Sequence, residues 1–310
     1  MTSISNIAKK VGVAKSTVSR VLNNHPHVSV ETRRKVLAAM SELDFAPNQV
    51  ARDLARGKTF KVGVVIPHTR HPYFTHLING LLDAAKLSDY QLVMMPSDYH
   101  RTLERSYLEQ LRQGAIDALI FTSRALEIDE IENYAKYGQI VLCEKLLEQT
   151  SLSSAYVNRL PSYREMFEAV SQQGLTQGVL LFSRNNSDSA TWKAATQAFE
   201  EVFEELPLAT FGQIHDIQDG LNIVDELIKF PRLEWILATS DDVAAGIREA
   251  YQSLDIPCPV LIGQENLLSS KLLGMATIDH QSYQLGKLAF SQALSKQVGQ
   301  KQLLSKCIFR

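Results

Sequence analysis

Residues 4–23 read ISNIAKKVGVAKSTVSRVLN, and this stretch decides how the N-terminal end folds. Ile4, Ile7, Ala8 and Val11 recur at helical spacing. Gly12-Val13 interrupts the run, and glycine is the usual turn residue between two short helices. A second amphipathic run opens at Lys15, with Val18, Val21 and Leu22 at i, i+3 and i+4, and Asn23-Asn24-His25-Pro26 ends it. Ser29 stands before Val-Glu-Thr, so a third helix is expected from Glu31 to about Leu43, with Val36, Leu37, Met40 and Leu43 as its apolar stripe. Three short helices in this arrangement form one small core over residues 1–46, a helix-turn-helix unit whose second helix is suited to the DNA major groove.

Charge supports that direction. Residues 1–60 hold ten Lys/Arg and four Asp/Glu, whereas the whole chain of 310 residues has a net charge of −2. A basic head on an acidic body is the layout of a protein that presents one end to nucleic acid. At the start of the second helix, Lys15 and Ser16, with Arg20 one turn later, are the candidates for reading base edges. Thr17, Ser19 and Asn23 are short polar residues suited to the phosphate backbone, which fixes register without reading sequence.

Residues 47–58 read as a linker. Pro47-Asn48 starts a segment through Arg56 that is too short to be a stable helix alone, and Gly57 stops it. From residue 59 the texture changes to short apolar runs alternating with amphipathic stretches. Strands are expected over 62–66, 91–95, 118–121, 140–142, 178–182, 235–238 and 259–262. Helices are expected near 74–87, 101–113, 128–136, 162–173, 190–204, 217–229 and 242–254. Buried runs separated by helices imply parallel sheets built from βαβ units. The pattern repeats on either side of residue 157, so the α/β body at 59–310 is expected to have two lobes.

The run Ile7-Ala8, Val11-Gly12-Val13 and Thr17 to Asn23 resembles the lactose/galactose repressor (LacI/GalR) family. The match continues through Val28-Ser29, Thr32-Arg33, Val36, Ala39, Leu43, Phe45, Pro47-Asn48, Ala51-Arg52 and Leu54. Ala14 departs from the family's usual serine. The resemblance implies a transcriptional regulator that binds pseudo-palindromic double-stranded operator DNA as a homodimer, most simply a repressor of carbohydrate-utilisation genes. It also implies a hinge helix containing Asn48, Ala51 and Leu54. There Leu54 would wedge into the minor groove and kink the duplex, unstacking being offset by extra contact.

For the body, the resemblance implies a periplasmic-binding-protein-like core with a sugar or sugar-phosphate effector held in the cleft. The first lobe would comprise about 60–157 and 281–299, the second about 158–280 and 300–310. His71-Pro72-Tyr73-Phe74 falls on the family's pocket loop. Glu144 falls where the family has an aspartate, Ser240-Asp241 on its Asn-Asp pair, and Glu265 on the aspartate of its Gly-aromatic-Asp turn, with Gln264 in place of the aromatic. Thr191 replaces an arginine that holds the ligand in most members. The fork of that arginine is lost there, so either Lys193 substitutes or the ligand differs. Carboxylates in such a cleft would accept hydrogen bonds from sugar hydroxyls.

Other chemistries are not written in the chain. His68, His71 and His76 have no standard metal spacing and no local acid or cysteine, so no metal is expected, nor any cofactor. They read as loop histidines. Arg52 stands where a P-loop ending in Gly57-Lys58-Thr59 would need its first glycine, and no dinucleotide fingerprint or nucleophile elbow is present. An enzyme would need a cluster of titratable groups at catalytic spacing. A secreted sugar receptor would need an export signal and no headpiece. Cys143, Cys258 and Cys307 are widely separated, which fits a reducing compartment. With no apolar run long enough to span a bilayer and no signal pattern, a cytoplasmic, non-membrane protein is expected. No C-terminal leucine heptads are seen, which favours a dimer over a tetramer.

Overall fold

The computed structural model describes residues 3–23, 25–46, 53, 57–187 and 189–310. The chain divides into two compact units, residues 1–59 and 60–310. Asn48, Ala51 and Leu54 lie outside the described residues, as does most of the expected linker helix.

In the first unit, α1 (Ile4–Val11), α2 (Lys15–Leu22) and α3 (Val30–Glu42) enclose a core of Ile7, Ala8, Val18, Val21, Val36 and Ala39. Gly12 ends α1 in the left-handed region at φ 73°, and its N–H donates to the Ala8 carbonyl at 2.9 Å. Glycine adopts that backbone without a Cβ penalty. The Ser29 hydroxyl caps α3 by accepting from the Thr32 N–H at 3.2 Å. One expectation fails here: Leu37 is 51% exposed, and Ala39 takes its place in the core. Position 37 lies about 100° around the helix from Val36, whereas 39 and 40 return to the same face.

The second unit contains two sheets. The first has strand order β11-β5-β4-β3-β1-β2. Its strands are β1 (Lys61–Ile66), β2 (Gln91–Pro96), β3 (Ala118–Phe121), β4 (Gln139–Leu142), β5 (Ser153–Asn158) and β11 (Gln300–Leu304). Both faces are buried: Val62, Val64 and Ile66 point into one apolar cluster and Val65 into another. This explains the unbroken apolar runs of the sequence. The covering helices are α4 (Pro72–Ala85), α5 (Arg101–Arg112), α6 (Ile128–Glu132) and, from far along the chain, α13 (Ser282–Leu294). α4 and α13 touch through backbone. A Cβ on Gly80 would sit 1.9 Å from the Tyr283 carbonyl oxygen, and one on Gly286 2.1 Å from that of Leu77.

The second sheet has order β12-β10-β9-β8-β6-β7. It comprises β6 (Gly178–Leu181), β7 (Ala209–Phe211), β8 (Trp235–Leu237), β9 (Val260–Gln264), β10 (Thr277–Asp279) and β12 (Lys306–Ile308). Its helices are α7 (Leu160–Ser171), α8 (Ala190–Phe203), α9 (Ile217–Asn222), α10 (Val224–Leu227), α11 (Asp241–Ser253) and α12 (Leu268–Leu273). The pairs within both sheets are parallel except β10 with β12.

The chain crosses between lobes after Asn158, after Asp279 and at Ser305. This moves one expected boundary. Residues 300–310 are expected together in the second lobe, but Gln300–Leu304 pairs with Ser154–Asn158 in the first sheet, and only Lys306–Ile308 joins the second. The expected helix at 217–229 divides at Ile223, and that at 128–136 ends at Glu132, with a single 3-10 turn at Ala135–Tyr137.

Candidate DNA interface and effector cavity

On the headpiece, Lys15, Ser16 and Arg20 are exposed along α2 and its first turn, Thr17 and Ser19 are half-buried, and Asn23 is exposed at the helix end. Ala14 offers no side-chain cap, so the first-turn N–H groups of α2 lack the hydroxyl partner a serine would give. Lys10 is tied to Glu42 and Lys35 to Glu31. Arg33 donates to the His25 carbonyl at 2.9 Å, anchoring the loop after α2. Among the described residues, Lys15 and Arg20 have no carboxylate partner. Two uncommitted cations and a hydroxyl exposed on one helix can donate to acceptors on base edges and phosphates.

In the body, a cavity of about 390 Å³ opens between the two lobes. That is within the ~300–1,000 Å³ usual for small-molecule sites. His71, Tyr73, Phe74, Glu144, Thr191 and Glu265 all line it. Ser240, Asp241 and Lys193 do not. Ser240 instead caps α11 by accepting from the Val243 N–H at 3.2 Å. Asp241 accepts from Thr277 Oγ1 at 2.6 Å and from the Leu267 N–H at 2.5 Å, which ties down the loop carrying Glu265. Lys193 is exposed on α8.

His71 stitches the lobes together. Its Nδ1 accepts from the Tyr73 N–H at 3.1 Å at the start of α4, and its Nε2 meets the Thr239 carbonyl at 3.0 Å in the other lobe. The first bond requires a bare Nδ1 and the second a protonated Nε2, so the ring is neutral. Burial pushes its pKa down to about 4. His68 and His215, also from opposite lobes, meet edge-to-face at 5.0 Å, and burial lowers both, His68 to about 4. Among the described residues no group of histidine, cysteine or carboxylate side chains is arranged to hold a metal.

The carboxylates behave differently. Glu144 takes a two-pronged ion pair from Arg124, Nε to Oε1 at 2.6 Å and Nη2 to Oε2 at 3.0 Å. The remaining Arg124 Nη1 donates to the Leu126 carbonyl at 2.5 Å. Glu265 sits at φ 81°, is 4% exposed, and accepts from Ser282 Oγ at 2.6 Å. Burial raises its pKa to about 7, opposed by the Ser282 bond and Arg159. Beside it, Gln264 Oε1 accepts from Tyr163 Oη at 2.9 Å and from His280 Nε2 at 2.7 Å, while its amide donates to the Ala238 carbonyl at 2.6 Å. This side chain therefore ties α7 and the segments that follow β8 and β10 together in the cavity wall.

Three arginines in the cavity wall were not foreseen: Arg124, Arg159 and Arg184. Tyr99 was also missed. It follows Asp98 with both residues at positive φ, 44° and 58°, a pair of left-handed turns that aims the ring at the cleft. Single arginines on loops carry no periodicity, so only the pocket geometry reveals them.

Comparison with known proteins gives two family matches. The model for bacterial regulatory proteins of the lacI family matches residues 3–48. The model for periplasmic binding proteins and the sugar binding domain of the LacI family matches residues 59–306. Catabolite control protein B of Bacillus subtilis is 36% identical over 295 residues, covering 94% of each chain. The ribose operon repressor of Halalkalibacterium halodurans is 29% identical, covering 98% of this chain and 92% of its own. In fold, the chain is similar to the Lac repressor bound to ONPG in its repressed state, with a TM-score of 0.83 at 20% identity, over 100% of this chain and 98% of that one.

Proposed function

We propose that this chain, which belongs to the LacI family of bacterial regulatory proteins, binds pseudo-palindromic operator DNA as a homodimer. In this reading its operator affinity is set by a small sugar or sugar-phosphate effector in the interlobe cavity. The observation that carries it is the presence together of exposed, uncommitted Lys15, Ser16 and Arg20 on the second helix of a helix-turn-helix and a two-lobed body enclosing about 390 Å³. Lys15, Ser16 and Arg20 take base edges, and Thr17, Ser19 and Asn23 take phosphates. His71, Tyr73, Phe74, Glu144, Thr191 and Glu265 receive the effector. Glu144 and Glu265 offer acceptor oxygens for hydroxyl groups. The link to carbohydrate metabolism is supported by relatives named catabolite control protein B and ribose operon repressor.

The switch needs an effector that binds one lobe arrangement better than the other, a coupling of ~1–3 kcal/mol in typical cases. The hinge role of Asn48, Ala51 and Leu54 belongs to the same proposal. Fluorescence anisotropy on duplexes from the region upstream of its own gene, at two salt concentrations and with a sugar panel, tests the reading. Salt-sensitive binding relieved by one compound identifies an inducer, and binding strengthened by one identifies a corepressor. Binding no tighter than to random duplex, for any site selected from a random pool, overturns it.

A further inference from the structure

We propose that the effector is an anionic polyol, bearing a phosphoryl or carboxylate group whose charge is balanced by Arg159 and Arg184. The inference deepens the effector reading above and rests on it.

The three cavity arginines are used in unlike ways. Arg124 has spent its planar edge: Nε and Nη2 on Glu144, Nη1 on the Leu126 carbonyl. It brings no net charge, because its partner carboxylate lines the same cavity. Arg184 sits over Tyr99, its guanidinium carbon 4.1 Å from the ring centroid. Arg159 lies over Tyr73 at 5.7 Å, within reach of a bond to its hydroxyl. Contact with a ring takes up the face of a guanidinium, so the Arg184 N–H edge, and the Arg159 N–H groups not given to Tyr73, remain for a carboxylate or phosphate, which such an edge grips two-pronged. No ion pair with a described carboxylate is formed by either residue.

The remaining acids do not restore balance. Glu127 is at the exposed rim and pairs with Arg101. Glu265 is deeply buried, and the desolvation that raises its pKa to about 7 leaves it only partly ionised at neutral pH. The cavity wall therefore carries more positive than negative charge. Ser189, Ala190 and Thr191, at the N-terminal end of the 14-residue α8, line the same wall as Arg184 and add the positive end of a helix dipole. Arg184 thus restores, seven residues earlier, the fork that is missing at Thr191, and the aromatic shelf beneath it comes from the opposite lobe. An anion on Arg184 would fix a guanidinium that both lobes touch, so its binding favours the lobe arrangement seen here.

The test uses the full chain and isothermal calorimetry. The probes are ribose 5-phosphate and glucose 6-phosphate against ribose and glucose, gluconate for the carboxylate arm, and inorganic phosphate for the bare anion. At least one anionic probe should bind tenfold or more tightly than its neutral parent. The advantage should shrink in Arg184→Gln and Arg159→Gln, vanish in the double variant, and return in part in Arg184→Lys, which keeps the charge without the fork. Circular dichroism checks that the variants fold. An advantage that survives the double variant, or no preference for any anion, inorganic phosphate included, overturns the proposal. Operator anisotropy on the same samples separates the two readings. A neutral sugar that moves operator affinity while anions do not sinks the charge inference alone. Failure to bind any selected duplex sinks the regulator reading, whatever calorimetry finds.

Discussion

Arg184 and Tyr99 stack across the cleft at 4.1 Å, and each comes from a loop of a different lobe. Their contact joins the two lobes directly. A cation–π pair contributes ~0.5–2 kcal/mol. Tyr99→Leu should therefore lower the closed population severalfold, and small-angle scattering should show a larger radius of gyration than for the parent. An unchanged radius would mean this contact does not hold the lobes.

Acid should loosen the same seam. His71 is neutral by its two hydrogen bonds, and its pKa of about 4 in the closed lobes lies below the usual 6.5. The open or unfolded form thus binds more protons between these values. The contribution of His71 is full above pH 6.5 and is lost as pH falls toward 4, amounting to about 2 kcal/mol by pH 5. His68 and His215 shift in the same direction, with Arg70 and Arg159 adding repulsion. The melting temperature should fall between pH 7 and 5, and His71→Gln should flatten that slope. An equally steep slope in the variant would contradict the assignment.

Trp192 offers an optical report on the cavity. Its ring stacks on Phe182 at 4.2 Å, and Phe182 lines the cavity wall. The other tryptophan, Trp235, is fully buried in the second lobe's core. Effector binding should shift or quench emission in the parent and leave Trp192→Phe silent. A full signal in that variant would place the change elsewhere.

At the DNA end, Lys15→Ala and Ser16→Ala should change which operator sequence is preferred, by about 1–3 kcal/mol at one base position. Thr17→Ala and Ser19→Ala should instead weaken all duplexes alike. Leu54→Ala should keep headpiece contact but lose most DNA bending. Selection from random duplexes checks the first pair, and energy transfer between labelled duplex ends checks the last.

Gly80→Ala should destabilise the first lobe by about 3 kcal/mol, since the added Cβ meets the Tyr283 carbonyl at 1.9 Å and neither helix backbone can yield cheaply. Thermal melting reads this directly, and an unchanged melt would refute the tight crossing.

How much of this was legible follows from where each signal lives. The headpiece helices and β1, β3 and β6 stand out because apolar spacing and runs are dense there. β5 was missed because Ser153-Ser154 opens it with polar residues that are nonetheless buried. β7, β10 and β12 are only three residues long. Glu144 and Glu265, expected in the cleft from family position, line the cavity wall, yet family position could not say that Arg124 neutralises one and burial the other. It also placed Asp241 in the cavity, where the structure gives it to Thr277 and Leu267 instead. Partners decide a carboxylate's role, and partners here lie 17 to 36 residues away.

The return of α13 and β11 to the first lobe sets the order in which the protein matures on the ribosome. Residues 60–158 emerge early, but the β5 edge has no neighbour until Gln300–Leu304 is made, and Leu77 and Leu81 lack the apolar cover of Leu285 and Ala289 until α13 appears. An unpaired strand edge beside bare leucines invites association with other nascent chains. The lobe translated first is therefore among the last to be completed, and a chain ending before residue 282 lacks both the helix and the strand that cover it.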